Sequence, residues 1–295
     1  MSQALQGGPD GPPINTIGSP FIELQSVDST NNYARRQIYE SLAQHGLAIF
    51  AHEQVAGKGQ RGREWTSEKG KNIALSLLIK PHPLTVDQQF QLSACAAVAA
   101  HAFFMKYGIE KVTIKWPNDL YWQDRKAGGI LIESVIRSRE SGVGSRESGV
   151  QSSESESDST QAAQNIQKSG TGSNWEWAIV GIGININQTL FPDHLPNPVS
   201  LKQITGSDHD PVERAKELCA FMQHYFTELT TTGFENIFSL YNQHLYKRNE
   251  HITLKKENRV FEALVKGVTT TGRLVTKHAM EEEFDFGEVE WQPVH

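Results

Sequence analysis

Gly57-Lys58-Gly59-Gln60-Arg61-Gly62-Arg63-Glu64-Trp65 brings three glycines, three cations and an aromatic into nine positions, directly after a short apolar stretch. Glycine lets a backbone fold closely over a ligand, and Lys and Arg there answer negative charge. The chemistry implied is the covering of a phosphate. The spelling also satisfies G-x-G-x-x-G, the dinucleotide fingerprint, which needs a helix opening in the loop and an acidic residue about 20 positions later. Instead, Trp65-Thr66-Ser67-Glu68-Lys69-Gly70 leads into the strand-like Asn72 to Ile79, and Asp87 lies too far along, inside the next helix. The run reads as an anion-binding cover, not a Rossmann turn.

Four other clusters carry polar or charged groups at the ends of apolar runs. Asp28-Ser29-Thr30-Asn31-Asn32 sets small polar side chains at a strand-to-helix turn; alone it is an ordinary helix cap. Lys115-Trp116-Pro117-Asn118-Asp119 ends a strand at a proline and offers an amide and a carboxylate; alone it is turn chemistry. Arg125-Lys126-Ala127-Gly128-Gly129-Ile130-Leu131 places a lysine before glycines that enter an apolar strand, where a solvated lysine is the plain alternative. Gly181-Ile182-Gly183-Ile184-Asn185-Ile186-Asn187 breaks an apolar strand with two glycines, which marks a close approach and favours a ligand.

The elements that position these clusters are legible from patterning. Phe21 to Leu24 and Leu47 to His52 read as strands, and Ser29 opens a helix running to about His45, with Gly46 at its end. Thr85-Val86-Asp87-Gln88 has capping-box spacing before an alanine-rich helix that Gly108 ends. Val112, Ile114 and Trp116 alternate as a strand does, and Gly129 to Ile136 and Trp175 to Ile186 are further strands. Asp210-Pro211 caps a helix bearing Leu218, Phe221, Met222, Tyr225 and Leu229, and a second helix follows with Phe234, Ile237, Phe238, Tyr241 and Leu245 inward. From about Lys247 short strands separated by turns predict a small barrel that leans on the larger domain.

Composition sets bounds. The chain has 295 residues, enough for one large domain with a small one. Its formal charge of −6 excludes a general nucleic-acid binder, whose footprint is basic. Cys95 and Cys219, both in apolar helical surroundings, predict buried thiols rather than a disulfide or metal pair. Residues 1–20 are Gly/Pro-rich and read as a disordered lead-in, with neither signal peptide nor membrane span in the chain, so a soluble cytoplasmic protein is expected. From Arg137 to Ser173 there are eleven serines and a tandem duplication, Ser138 to Val143 followed by Ser145 to Val150. Such a segment buries too little apolar surface to offset its ordering entropy, and residues 137–173 are expected to be a disordered insertion between two strands.

Taken together and in this order, the clusters resemble biotin protein ligases. The resemblance rests on Ser29-Thr30-Asn31, Gln54 with the glycine loop, Lys115 to Asp119, Arg125-Lys126 with Gly128-Gly129, and Gly181 to Asn185, and runs over most of residues 21–295. It implies an α/β (α+β) fold: a mixed, mainly antiparallel sheet flanked by helices in a class II synthetase-like catalytic domain (21–246), and an SH3-like β-barrel (247–295). It implies biotin and MgATP as substrates, a biotinoyl-adenylate intermediate, and transfer of biotin to a lysine of a biotin carboxyl carrier domain of acetyl-CoA carboxylase. Biotin needs an apolar slot with a few placed hydrogen bonds. The resemblance assigns it Ser29, Thr30, Asn31, Gln54, Gly57, Lys58, Gly59, Gln60, Lys126, Gly128 and Gly129. ATP is assigned Arg61, Trp65, Lys115, Asn118, Asp119, Gly181, Gly183 and Asn185. Lys126, with Arg61 and Arg63, is the expected catalytic cation set, offsetting repulsion between a carboxylate and a triphosphate; Asp119 is the candidate Mg²⁺ ligand.

Two departures stand out. Many family members carry a second arginine where this loop has Gln60, an amide without charge. No winged helix-turn-helix is recognisable before Phe21, so a DNA-binding repressor role is not expected. A monomer or weak homodimer is expected, with 177–186 as an edge strand able to pair across a two-fold or take up the carrier. The rivals are a lipoate ligase or acyltransferase, and a non-catalytic biotin- or nucleotide-binding module lacking Lys126 or the loop cations, all of which are present.

Overall fold

The computed structural model describes residues 16–137, 174–195 and 197–292. The expected insertion, except for its first residue, and residues 1–15 of the expected lead-in lie outside the described residues. Seven strands form the main sheet: β1 (Phe21–Leu24), β2 (Ala48–Ala51), β3 (Asn72–Ile79), β4 (Val112–Lys115), β5 (Asp119–Trp122), β6 (Arg125–Arg137) and β7 (Asn174–Asn185). Their order is β1-β2-β3-β7-β6-β5-β4, and only the β1–β2 pair is parallel. This is the mixed, mainly antiparallel sheet that was expected.

The helices among the described residues are α1 (Thr30–Tyr39), α2 (Gln89–Met105), α3 (Leu201–Thr205), α4 (Pro211–Thr231) and α5 (Glu235–Gln243). α2 is apolar around most of its circumference because it is covered by the sheet on one side and by α4 on the other, and its alanines permit that close approach. α1 packs the opposite face, where Ala34 meets Ile49, Leu78, Trp177 and Ile179. Asp210 caps α4 as its spacing predicts, accepting from the Val212 and Glu213 amides. The Thr85–Gln88 capping box is present, but it opens a single 3-10 turn before α2.

Several expectations need correction. α1 ends at Tyr39 rather than near His45, because the chain reverses through Ser41 (φ 59°) and returns to the sheet, where the Gly46 amide donates to Leu78 O. Ile17 is 3% exposed and Gly18 packs on Cys219, so residues 16–20 belong to the fold rather than to a lead-in. β7 is not an edge strand: it lies between β3 and β6, and its nearly continuous apolar run is what a strand covered on both faces requires. The edges are β1 and β4, and β4 is met by a bridge between Ile114 and Leu245.

The C-terminal strands β8 (His251–Lys256), β9 (Arg259–Val268), β10 (Leu274–Lys277), β11 (Glu281–Phe284) and β12 (Glu290–Trp291) form an antiparallel sheet ordered β11-β10-β9-β8-β12, consistent with an SH3-like unit. Its buried Ile252, Leu254, Val265 and Leu274 join the same apolar cluster as α2 and α5. Asn242 ties the two together, its Oδ1 accepting from the Val268 amide at 2.8 Å. Cys95 and Cys219 are free and buried, and burial raises both thiols, Cys219 to about 12. Among the described residues no helix is long and apolar enough to cross a membrane.

Candidate active site

A cavity of about 720 Å³ lies between the glycine loop, the sheet and the C-terminal strands. Its floor is made by glycines. A Cβ on Gly183 would fall 2.6 Å from the Trp65 ring, and one on Gly181 would fall 2.5 Å from Asn31 Oδ1. The close approach signalled by these glycines is therefore made by the protein's own side chains, each of which also lines the cavity.

One end is polar and tightly connected. Gln54 Oε1 accepts from the Thr30 amide at 2.8 Å and from its hydroxyl at 3.0 Å. Ser76 Oγ, fully buried on β3, lies 2.7 Å from Thr30 Oγ1 and 2.6 Å from Asn31 Oδ1. Asn31 Nδ2 donates to Glu133 Oε1 at 3.2 Å, and Glu133 pairs with Arg35. The Gln54 carbonyl is thus occupied by Thr30, which fixes the amide plane on the cavity wall.

The glycine loop is a miniature hairpin rather than a helix start. Lys58 bridges to Glu64, the Gly59 amide donates to Arg63 O at 2.7 Å, and the Trp65 amide donates to Gly57 O at 2.9 Å. Arg61 (φ 56°) and Gly62 (φ 73°) form a left-handed tip, where Arg61 alone stands in a region disfavoured for side chains. The Arg61 guanidinium lies 5.6 Å from the Phe286 ring centroid and donates to Gly287 O at 3.3 Å, so the loop tip rests on the C-terminal strands. Lys58, Gln60 and Arg63 line the cavity. Trp65 Nε1 is buried without a hydrogen-bond partner among the described residues.

Opposite the loop, Lys126 Nζ sits 2.8 Å from Asp119 Oδ2. Gly129 leaves room for this pair, since a Cβ there would lie 3.1 Å from Asp119 Oδ1. Asn185 Nδ2 donates to Val199 O at 3.1 Å and lies 3.4 Å from Lys126 O, while the Asn118 amide donates to Ile130 O. Both amides line the cavity but spend their nitrogens on positioning the strands that carry Lys126 and Asp119. Burial lowers the Lys115 ammonium, with Lys126 and Arg63 adding to the effect and Asp119 opposing it. Among the described residues, no group of three or more His, Cys, Asp or Glu is placed to hold a metal.

The model of the biotin/lipoate A/B protein ligase family matches residues 23–145. The biotin–[acetyl-CoA-carboxylase] ligase of Paracoccus denitrificans is 28% identical over 262 residues, covering 86% of this chain and 92% of that one. The bifunctional ligase/repressor BirA of Escherichia coli is 40% identical over 118 residues, 39% of this chain but only 35% of that protein. Among solved structures, a biotin protein ligase from Aquifex aeolicus, in complex with biotin and ATP, superposes with a TM-score of 0.70 at 22% identity, over 94% of this chain and all of that one. At that identity the likeness is one of fold.

The matched segment contains the loop, Lys115 to Asp119, and Lys126 with its glycines, while Gly181 to Asn185 enter the cavity from beyond it. Ser29, Gly57 and Gly128 do not line the cavity; they sit behind its wall. Ser29 is 1% exposed, Gly128 backs onto Gly183 O, and Gly57 admits the Trp65 carbonyl. Ser76, Glu133, Tyr121, Tyr246, Phe286 and Trp291 were not anticipated as site residues. Ser76 carried a signal, a lone hydroxyl in the apolar run Asn72 to Ile79. The aromatics carried none, because their contacts are set by packing of the C-terminal strands.

Proposed function

We propose that this chain is an ATP-dependent biotin–protein ligase. The observation that carries the reading is the convergence, on one cavity, of Lys126, Lys115, Arg61, Arg63 and Lys58 with the Thr30–Gln54 pair. In the first step a biotin carboxylate oxygen attacks the α-phosphorus of MgATP; the bond to the β-phosphate bridging oxygen breaks and pyrophosphate leaves. In the second, a carrier lysine amine attacks the acyl carbon, the acyl–phosphate C–O bond breaks, AMP leaves and the amine loses a proton.

The polar end would take the ureido head, with Asn31, Thr30 and Gln54 as its hydrogen-bonding wall. Lys126 would stand at the carboxylate–phosphate junction, exchanging Asp119 for the incoming anions. Arg61, Arg63 and Lys58 would close over the adenylate, and Trp65, Lys115, Asn118, Asn185, Gly181 and Gly183 would face the nucleotide. Gly59, Gln60 and Gly129 would complete the biotin side, with Ser29, Gly57 and Gly128 acting from behind it. Mg²⁺ would arrive with the triphosphate and meet at most Asp119, the nearest carboxylate to Lys126. The acceptor would be the biotin carboxyl carrier domain of acetyl-CoA carboxylase. A cytoplasmic monomer or weak dimer would fit this role, and the net charge of −6 supports the lack of a nucleic-acid partner.

The test is pyrophosphate release that requires both biotin and ATP, followed by labelling of an apo carrier domain. Lys126→Met is expected to lower release by about 10²-fold or more. Full retention would remove Lys126 from the role, and incorporation of lipoate alone in a competition with biotin would replace the substrate.

A further inference from the structure

Lys115 is held differently from the other cations of the cavity. Lys126 faces Asp119, and the tip of Arg61 rests on Phe286 and a carbonyl. The Lys115 ammonium instead lies 4.6 Å from the Tyr121 ring centroid, 5.3 Å from that of Trp291 and 5.7 Å from that of Tyr246. Its hydrogen bond goes to the Tyr121 hydroxyl at 3.3 Å, and among the described residues no carboxylate forms an ion pair with it.

The three walls come from β5, from the connection after α5, and from β12. They brace one another, with Tyr121 and Tyr246 centroids 5.1 Å apart and Tyr246 and Trp291 centroids 5.7 Å apart. The Tyr246 hydroxyl donates to Asp124 at 2.6 Å, and Trp291 is fixed by its pairing with Leu254 of β8. Ring faces attract a cation and displace its water without supplying a negative charge. A carboxylate in the same place would neutralise the lysine and compete with an entering phosphate. An aromatic cage leaves the full charge for an anion in the cavity that Lys115 lines.

We propose that Trp291, contributed by the C-terminal strands, is a positioning residue for nucleotide binding: it completes the cage that holds Lys115 charged and partly dehydrated at the triphosphate end of the cavity. This rests on the nucleotide site described above. The C-terminal strands then tune nucleotide affinity through Lys115, and not only by supporting the fold.

The experiment is a double-mutant cycle on the full chain, titrated with a β,γ-non-hydrolysable ATP analogue and Mg²⁺, with biotin titrated separately. Trp291→Leu is expected to raise the Kd for the analogue about tenfold and Trp291→Phe, which keeps a ring face, about threefold or less. In a Lys115→Met background both substitutions are expected to change Kd less than about twofold, because the tryptophan acts through the lysine. Biotin affinity is expected to stay put. Equal factors in both backgrounds, a parallel loss of biotin binding, or no analogue binding by the unmodified chain would overturn the proposal. Should Trp291→Leu fail to fold, Trp291→Phe completes the same cycle. An unmodified chain that shows the coupling but releases no pyrophosphate would end the ligase reading and leave the cage standing.

Discussion

Gln60 lines the cavity between two cations of its loop, and its own carbonyl accepts from the Arg63 amide at 3.2 Å, holding the left-handed tip together. Its side chain brings hydrogen-bonding capacity without charge, while Arg61 leans away toward Phe286. The loop therefore presents less positive potential at its centre than its composition implies. If the chain forms the proposed acyl-adenylate, Gln60→Arg is expected to slow its escape about three- to tenfold, since a charged donor to phosphate is roughly twice as strong as a neutral one. Release of labelled adenylate from loaded enzyme, without acceptor, measures this; an unchanged rate would remove the position from adenylate retention. At this scale the sequence was informative where a motif names a side chain. Thr30, Gln54, Lys126 and Asp119 do meet around one cavity. It was silent on Phe286 and Trp291, whose proximity to the loop and to Lys115 is created by packing between distant segments.

At the scale of elements, β7 organises both ends of the cavity through two glycines two positions apart on one face. Gly183 receives the Trp65 ring, and Gly181 receives the Asn31 amide. Gly183→Ala places a methyl 2.6 Å from the ring, so the loop side chain must move off the strand. The expected result is about a tenfold weaker Kd for a non-hydrolysable ATP analogue with a shift in tryptophan fluorescence, the scale of losing one well-packed aromatic contact. Gly181→Ala meets Asn31 Oδ1 at 2.5 Å and is expected to weaken biotin instead. Calorimetric titration of each ligand separates the two, and equal losses of both ligands in both variants would mean that the strand is simply distorted. The glycines had announced a close approach but not its occupant. β5 escaped the sequence reading because Pro117-Asn118 spells a turn, which it is, immediately before four residues that pair with β6. The position of β7 was legible after all. Its nearly continuous apolar character belongs to a strand covered on both faces, as an interior strand of this sheet is, whereas one solvated face would have demanded polar alternation.

At the scale of the whole molecule, the larger domain is joined to the C-terminal strands where α2, β4 and the end of α5 meet. There the His101 and His244 rings stack with centroids 4.0 Å apart, and His101 Nε2 lies 3.1 Å from Val112 O. The His244 carbonyl accepts from the Ile114 amide at 2.8 Å, one residue before Lys115. Burial, reinforced by His244 and opposed by the Val112 carbonyl, lowers His101 to about 4, and burial lowers His244 as well. His101 is therefore neutral in the folded chain above about 4, while in the unfolded chain it takes a proton below its ordinary value of about 6.5, and burial acts on His244 in the same direction. Between that value and about 4 the unfolded state binds more protons, so stability is lost as pH falls through this window and is fully present above it. His101 alone is expected to cost about 2 kcal/mol by pH 5. His101→Gln keeps a donor for the Val112 carbonyl and removes the titration. Urea unfolding at pH 7 and pH 5 is expected to show a smaller acid loss in the variant than in the parent. Identical losses would place the acid sensitivity in the carboxylates of the surface ion pairs and not at this junction.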